Sequence, residues 1–424
     1  MFFLRACGCF SIAVMSNTTD TNLPTRHNWK RNVYILWLAQ VSSISSFTFV
    51  IPFLPLFIQN ELGIVDPRQS ALWTGICGAF MALSMFCVSP LWGFIGDRYG
   101  RKINVLRAMT GSSLVLIGTG LVQNIYQLLV LRTLSGLLTG VFSPLVALAV
   151  SMAPSTKVGY TTGFLLTAIY TGQILGPIAG GYASELLGFR PPFYLAGCVL
   201  AVSALGVLLF VKEVYTPPPK TSRATPGNIF RGIFNTIKLY NLFPILAVIL
   251  LVQISITIMH PVLPVLLQEI GITGNISSLT GLCFMCLGLT STVSAYVCSV
   301  YSDKIGITNV LVICCIGASI FSAPLAFAGS VLQIVILLGF IGLFGGGLAG
   351  LALGLVAKSV PKEQYGISFG TAQSANSLAF GFGPFIGGLI ANSIGTRIVF
   401  IIEAVTYLLA GLNAVVFINR KAKQ

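Results

Sequence analysis

Hydrophobic positions run along this chain in long, nearly unbroken blocks separated by short polar stretches. A block of 18 or more apolar residues is long enough to cross the hydrocarbon core of a bilayer as a helix. Twelve such blocks can be marked, at 33–58, 71–95, 103–123, 125–152, 160–184, 192–211, 242–268, 278–300, 308–329, 331–357, 366–391 and 398–418. Strands of a transmembrane barrel would be shorter and would alternate apolar with polar positions. The pattern therefore predicts an all-α membrane protein of twelve spans.

Composition agrees. Of 424 residues 55% are hydrophobic and 8% charged, with a mean hydropathy of +0.91, whereas about a quarter of a soluble domain is charged. The net charge of +14 could point to nucleic acid, but its distribution points elsewhere. With the N-terminus taken as cytoplasmic, 20 of the 24 lysines and arginines fall on the cytoplasmic side; Arg68, Arg190 and Arg397 fall outside, and Arg132 lies within a span. This is the positive-inside asymmetry that sets membrane topology, with both termini in the cytoplasm, and no nucleic-acid partner is implied. All the cysteines except Cys7 and Cys9 lie in apolar blocks. Cys283 and Cys286 form a CxxC inside a span with no second ligand pair, so they read as small buried hydrophobes and not as a metal site. Residues 1–14, MFFLRACGCFSIAV, resemble a short signal peptide without a cleavage site. They are expected to be an upstream-start extension of a leader whose natural start is Met15.

Two prolines three residues apart, Pro52 and Pro55, interrupt the first block, and Pro261 and Pro264 interrupt the seventh. Gln59 and Gln268 continue the match at an offset of 209. GFIGDRYGRKINVL at Gly93 matches VYSDKIGITNVL at Val300, placing Asp97 against Asp303, and LGPIAGG at Leu175 matches FGPFIGG at Phe382. Three unrelated anchors at nearly one offset imply an internal duplication. The expected organisation is a leader (1–32), a six-helix half (33–211), a cytoplasmic linker (212–241), a second half (242–418) and a tail (419–424). Six spans is an even number, so both halves enter the membrane from the same side. A carrier built this way binds its substrate near the midplane, between the halves. The paired prolines would bend the first and seventh helices where they reach the outer surface.

Three motifs carry mechanism. Gly93, Gly96 and Gly100 with Asp97, Arg98, Arg101 and Lys102 form a tight charged turn after the second span, with Asp303 at the equivalent place in the second half. LVLRTLSGLLTG places Arg132 inside the fourth span, where a charge is costly unless it faces water or a partner. It either lines an aqueous cavity or bonds backbone carbonyls to fix helix packing. Gly172, Gly176, Pro177, Gly180 and Gly181 put glycines four apart beside a proline on the fifth span, and Gly383, Pro384, Gly387 and Gly388 repeat them. Such spacing lets helices touch.

These motifs resemble, over essentially the whole chain from Asn28, those of the major facilitator superfamily, in its twelve-helix drug:proton antiporter branch. The resemblance implies two pseudo-symmetric six-helix halves and export by alternating access. It implies that Asp97 caps the eleventh helix near Gly366, latching the outward-open state through the helix dipole. It also implicates Arg132 in proton transfer and assigns the glycine–proline element to antiporters.

Proton exchange needs a titratable group in the path. Of the ten acids only Glu403 lies inside a span, expected near enough to the outer face for its carboxylate to reach the rim. His260, beside Pro261, is the histidine within a span, and an ordinary pKa of about 6.5 suits proton exchange. Arg132, His260 and Glu403 are thus the coupling candidates, each with a purely structural alternative. Gln40, Phe47, Gln253, Gln373 and Asn376 are the cavity candidates, amides and an aromatic suited to loose apolar recognition. The first span carries no acid, so the pocket would suit neutral, zwitterionic or anionic amphiphiles, Arg132 supplying the positive charge. No nucleotide-binding loop is present. The chain reads as a monomeric transporter and not an enzyme, without cofactor, whose partners are a small-molecule substrate, protons and the lipid bilayer. A dedicated carrier of one metabolite is the alternative on the same fold.

Overall fold

The structure, a computed structural model, describes residues 29–213, 239, 242–361 and 365–421. The leader with its 1–14 extension, most of the linker and the last three residues lie outside the described residues. Every regular element among those described is helical. On the N-terminal side α1 (Trp29–Thr48) and α2 (Leu54–Glu61) make the first rod, α3 (Pro67–Tyr99) the second and α4 (Arg101–Gly120) the third. The fourth is α5 (Ile125–Leu138) with α6 (Phe142–Met152), the fifth α7 (Val158–Leu187) and the sixth α8 (Pro191–Phe210). The C-terminal side repeats the order: α9 (Phe243–Ile258) with α10 (Leu263–Glu269), α11 (Ile276–Ile305), α12 (Ile307–Ser322) with a short 3-10 turn, α13 (Val331–Gly345) with α14 (Leu348–Ser359), α15 (Tyr365–Ser393) and α16 (Thr396–Lys421). Among the described residues, ten rods are long and apolar enough to cross a membrane. The other two are the first, which is interrupted and rich in serine, and the third, which opens on Arg101 and Lys102 and is rich in Gly, Ser and Thr.

The duplication is visible atom by atom. The first rod breaks between Thr48 and Leu54 and the seventh between Ile258 and Leu263. Pro52 and Pro261 sit in the breaks, and Pro55 and Pro264 in the first turns of α2 and α10, where a missing N–H costs nothing. Gly100 (φ 109°) joins α3 to α4 and Gly306 (φ 91°) joins α11 to α12, a left-handed conformation that glycine adopts without strain. Asn124 accepts from the Gln127 N–H at 2.9 Å while Gln127 Oε1 accepts from the Gln123 N–H. Ser330 and Gln333 build the same reciprocal cap on α13. We call the end carrying Gln59 and Gln268 the proline end and the opposite end, carrying Gly100 and Gly306, the basic end.

The fourth rods differ. Gly140 takes φ 98° and splits α5 from α6, which frees carbonyls in the last turn of α5. Trp92 Nε1 donates to the Leu137 carbonyl at 2.7 Å and Arg107 Nη1 to that of Leu138 at 2.9 Å. The Arg107 guanidinium lies 3.4 Å from the centre of the Trp92 ring, so a cation–π contact locks the two donors together. Gly346 and Gly347, at the equivalent place, keep helical angles.

Glu403 departs from expectation. Its side chain is enclosed, at 0% exposure, because α16 packs directly against α12 there: Ser319 Oγ donates to the Ala404 carbonyl and Ser322 Oγ to Glu403 Oε1 at 3.2 Å. The carboxylate does not reach the rim, and Oε2 has no partner among the described residues.

Glu213, in the linker by sequence, is a structural residue. Its two carboxylate oxygens accept from the backbone N–H groups of Arg101 and Lys102, at 3.0 and 2.9 Å. It caps α4, whose own N-cap residue, Gly100, has no side chain to do so. Glu213→Ala should therefore destabilise the protein by about 1 kcal/mol. This would be read as a fall of a few degrees in the melting temperature of purified protein, and an unchanged value would refute the cap.

Candidate substrate cavity

The two sides meet along two seams, α3 on α15 and α7 on α11, and both seams are made by glycine. A Cβ on Gly181 would collide with the Ser277 carbonyl, and one on Gly281 with that of Pro177. Their repeat copies do the same: Gly388 meets the Ala71 carbonyl and Gly75 that of Pro384. The remaining motif glycines face inward within each side. Gly172, Gly176 and Gly180 let α7 lie on Ile44, Thr48 and Phe49, and Gly383 and Gly387 let α15 lie on Thr257 and Ile258. Thr48 Oγ1 crosses this contact to the Gly172 carbonyl at 3.1 Å, as Thr257 Oγ1 does to that of Ala379 at 3.5 Å.

Polar contacts close the proline end. Gln59 and Gln268 exchange amide hydrogen bonds, 3.3 Å in one direction and 2.9 Å in the other. Arg68 Nε pairs with Glu269 Oε1 at 3.1 Å, and Glu269 also accepts from Thr396. These hydrogen bonds, the ion pair, the bonds from Ser278 to Glu185 and the glycine approaches between the two sides lie from this end to about the level of Ala82 and Gly288.

Beyond that level lies a cavity of about 230 Å³ between the sides, lined by α1, α3, α4, α5, α8 and α15. Phe47, Gln373 and Asn376 line it, as does Arg132. Ser112, Ser135, Ser377 and Phe380 line it too and carry no sequence signal beyond being polar or aromatic inside a span. Arg132 is the charged residue of the lining, and no carboxylate accompanies it. Its Nε and Nη2 are sealed from water and have no hydrogen-bond partner among the described residues. The carbonyl-bonding role open to Arg132 in the sequence is filled instead by Arg107.

Other candidates lie elsewhere. Gln40 is fully buried within the N-terminal side, with neither amide atom bonded, and does not line the cavity. Gln253 lines a crevice of about 40 Å³ that shares Gln373 and Asn376 with the cavity. His260 stands in a file of rings at the proline end of the cavity, with Phe47 5.6 Å from Phe380, Phe380 6.3 Å from His260, and His260 5.3 Å from Phe284. Glu403 lies inside the C-terminal side, away from the cavity lining. At the basic end Arg101 donates to the Ala147 carbonyl and Lys102 to that of Leu208, while Arg98 and Asp303 are exposed. The side chains of Asp97, Tyr365 and Ile367 lie outside the described residues, as do the surroundings of Gly93 and Gly366.

A family model described as Major Facilitator Superfamily matches residues 36–340 and 245–424. The chain belongs to the major facilitator superfamily. It is 32% identical over 378 residues to a multidrug resistance protein MdtG of Escherichia fergusonii, covering 89% of this chain and 92% of that one. Over 398 residues it is 29% identical to the MdtG of Klebsiella pneumoniae, covering 94% and 96%. Among solved structures it superposes on the human organic anion transporter MFSD10 with a TM-score of 0.67 at 18% identity, over 93% of this chain and all of that one. A D-xylose–proton symporter gives 0.71 at 14% identity, over 91% and 97%. The chain is thus a multi-pass membrane protein of a transporter fold.

A guanidinium with two sealed, unbonded nitrogens and no counter-charge beside it is retained at a cost to folding. Arg132→Met should leave the melting temperature unchanged or raise it by a few degrees; a marked fall would assign the arginine to structure.

Proposed function

We propose that the protein exports drugs and other amphiphilic small molecules across the bacterial inner membrane by alternating access, in exchange for protons. The observation that carries this reading is an acid-free cavity between two repeated sides, holding an arginine whose Nε and Nη2 have no partner among the described residues, and shut at one end by glycine seams. The MdtG relatives and the antiporter-type glycine–proline element support the direction and the substrate class. The basic end then faces the cytoplasm, as the positive-inside asymmetry implies, and the cavity is open toward it. A lining of rings and amides suits many apolar bodies, and Arg132 favours a neutral or anionic head over a cationic one. Asp97 would serve the opposite, outward-open state as the cap on α15, and His260 and Arg132 stand nearest the path a proton would take.

In an efflux-deficient bacterial host, expression should raise tolerance to several unrelated amphiphiles by about fourfold or more. An unchanged panel would sink multidrug export and favour a carrier of one metabolite. In proteoliposomes, substrate should leave the compartment faced by the basic end faster when the opposite compartment is the more acidic. Flux indifferent to that gradient would end the proton reading. Asp97→Asn should cripple transport while the protein stays in the membrane, and full activity would remove the basic-end latch.

A further inference from the structure

The two seams are copies, yet the helices that start them are capped differently. In the N-terminal side α3 carries its own N-cap: Asp66 accepts from the Arg68 N–H at 3.0 Å. Its repeat copy is Asn275, at the offset of 209 that relates the two proline-bearing rods. Asn275 takes a left-handed conformation (φ 59°) and makes no side-chain cap on α11. A helix start without a cap leaves backbone N–H groups unbonded and a partial positive charge unanswered.

The missing acceptor comes from the other side of the molecule. Glu185, one turn beyond Gly181 on α7, reaches across the seam: Oε1 accepts from the Ser278 N–H at 3.2 Å and Oε2 from Ser278 Oγ at 2.5 Å. Ser278 is the third residue of α11, where an N-cap side chain ordinarily bonds. The approach depends on the seam, because Gly181 has its absent Cβ against the Ser277 carbonyl and the Ser278 Cα. Asn392 stands at the copy of Glu185 and carries no charge, and α3, already capped by Asp66, needs none.

We infer that Glu185 is the latch of the proline end: a carboxylate on the first repeat serves as the N-cap that α11 of the second repeat lacks, and it forms only while that end is shut. Gln59–Gln268 and Arg68–Glu269 close the same face, but neither completes a helix. Glu185 does, so opening this end uncaps α11, and the cost falls on the open state alone. Glu185 thus sets the balance between the two access states without touching substrate. The inference rests on the alternating-access reading.

Hydrogen–deuterium exchange on the full-length protein in nanodiscs tests it. Glu185→Gln should raise exchange in the first turn of α11 and around Gln59 and Gln268, and lower it in the basic-end halves of α3, α7, α11 and α15 as they come together. The ratio of shut to open should shift on the order of fivefold, the range expected for losing one helix cap. Ser278→Ala, which keeps the N–H, should shift it the same way by less. Gly181→Leu wedges the seam apart directly and serves as the reference for opening. Opposite changes at the two ends in Gly181→Leu but not in Glu185→Gln would overturn the latch alone. Opposite changes in neither variant would overturn alternating access itself. A rise at both ends in Glu185→Gln would make Glu185 a plain stabilising contact and would equally end the inference.

Discussion

Backbone touching backbone at two places holds this molecule together and also lets it come apart. Within a bilayer there is no hydrophobic reward for bringing helices together, since lipid is as apolar as leucine; close packing and polar contacts must do it. Gly75, Gly181, Gly281 and Gly388 each remove a Cβ where a carbonyl of the opposite side passes, so the two sides approach as closely as chains can. A close seam of this kind leaves few intermediate positions. A methyl group at any of the four would not loosen the contact but exclude it, and the packed interface is accordingly two-state rather than deformable.

Inside each side the constraint is the opposite: contacts are deep, varied and permanent. Arg190 pairs with Glu61 at 2.6 Å and also donates to the carbonyls of Gly120 and Val122, binding three rods at the proline end. Arg397, its copy, donates to the Ala326 carbonyl. Ser113 and Ser319 reach the carbonyls of Gly197 and Ala404 in matching fashion. The fourth rods break the symmetry. Trp92 and Arg107 fix the kink at Gly140, whereas the copy keeps helical angles at Gly346 and Gly347 and is held by the Gly347 N–H, which donates to Ser294 Oγ at 3.1 Å.

Much of this was legible in the sequence because bilayer length, proline, glycine and duplication all leave local marks. The twelve blocks, the breaks at Pro52 and Pro261 and the glycine rows needed only spacing to be read. The cavity was harder. A helix in lipid is apolar all round, so hydrophobic patterning does not report which face turns inward. Gln40 and Gln373 look alike in sequence, yet one is buried within a side and the other faces the cavity. Glu403 was placed by depth along its rod, while its fate was decided by the direction it faces. Glu185 and Glu213 stand by sequence at a span end and in the linker, and each acquires its role from a helix start far away in the chain. Arg132 was conspicuous, but only the structure distinguishes it from Arg107, the arginine that does bond carbonyls.

Gln59 and Gln268 are copies of one another and they bond to one another. A residue that meets its own copy lies on the symmetry axis, as in the isologous contact of a two-fold dimer. Such a position is chemically demanding: a carboxylate there would face a carboxylate, and an ammonium an ammonium. A primary amide escapes because each copy carries both a donor and an acceptor and can answer itself. Glutamine is thus a side chain that two identical copies can carry and still bond to one another.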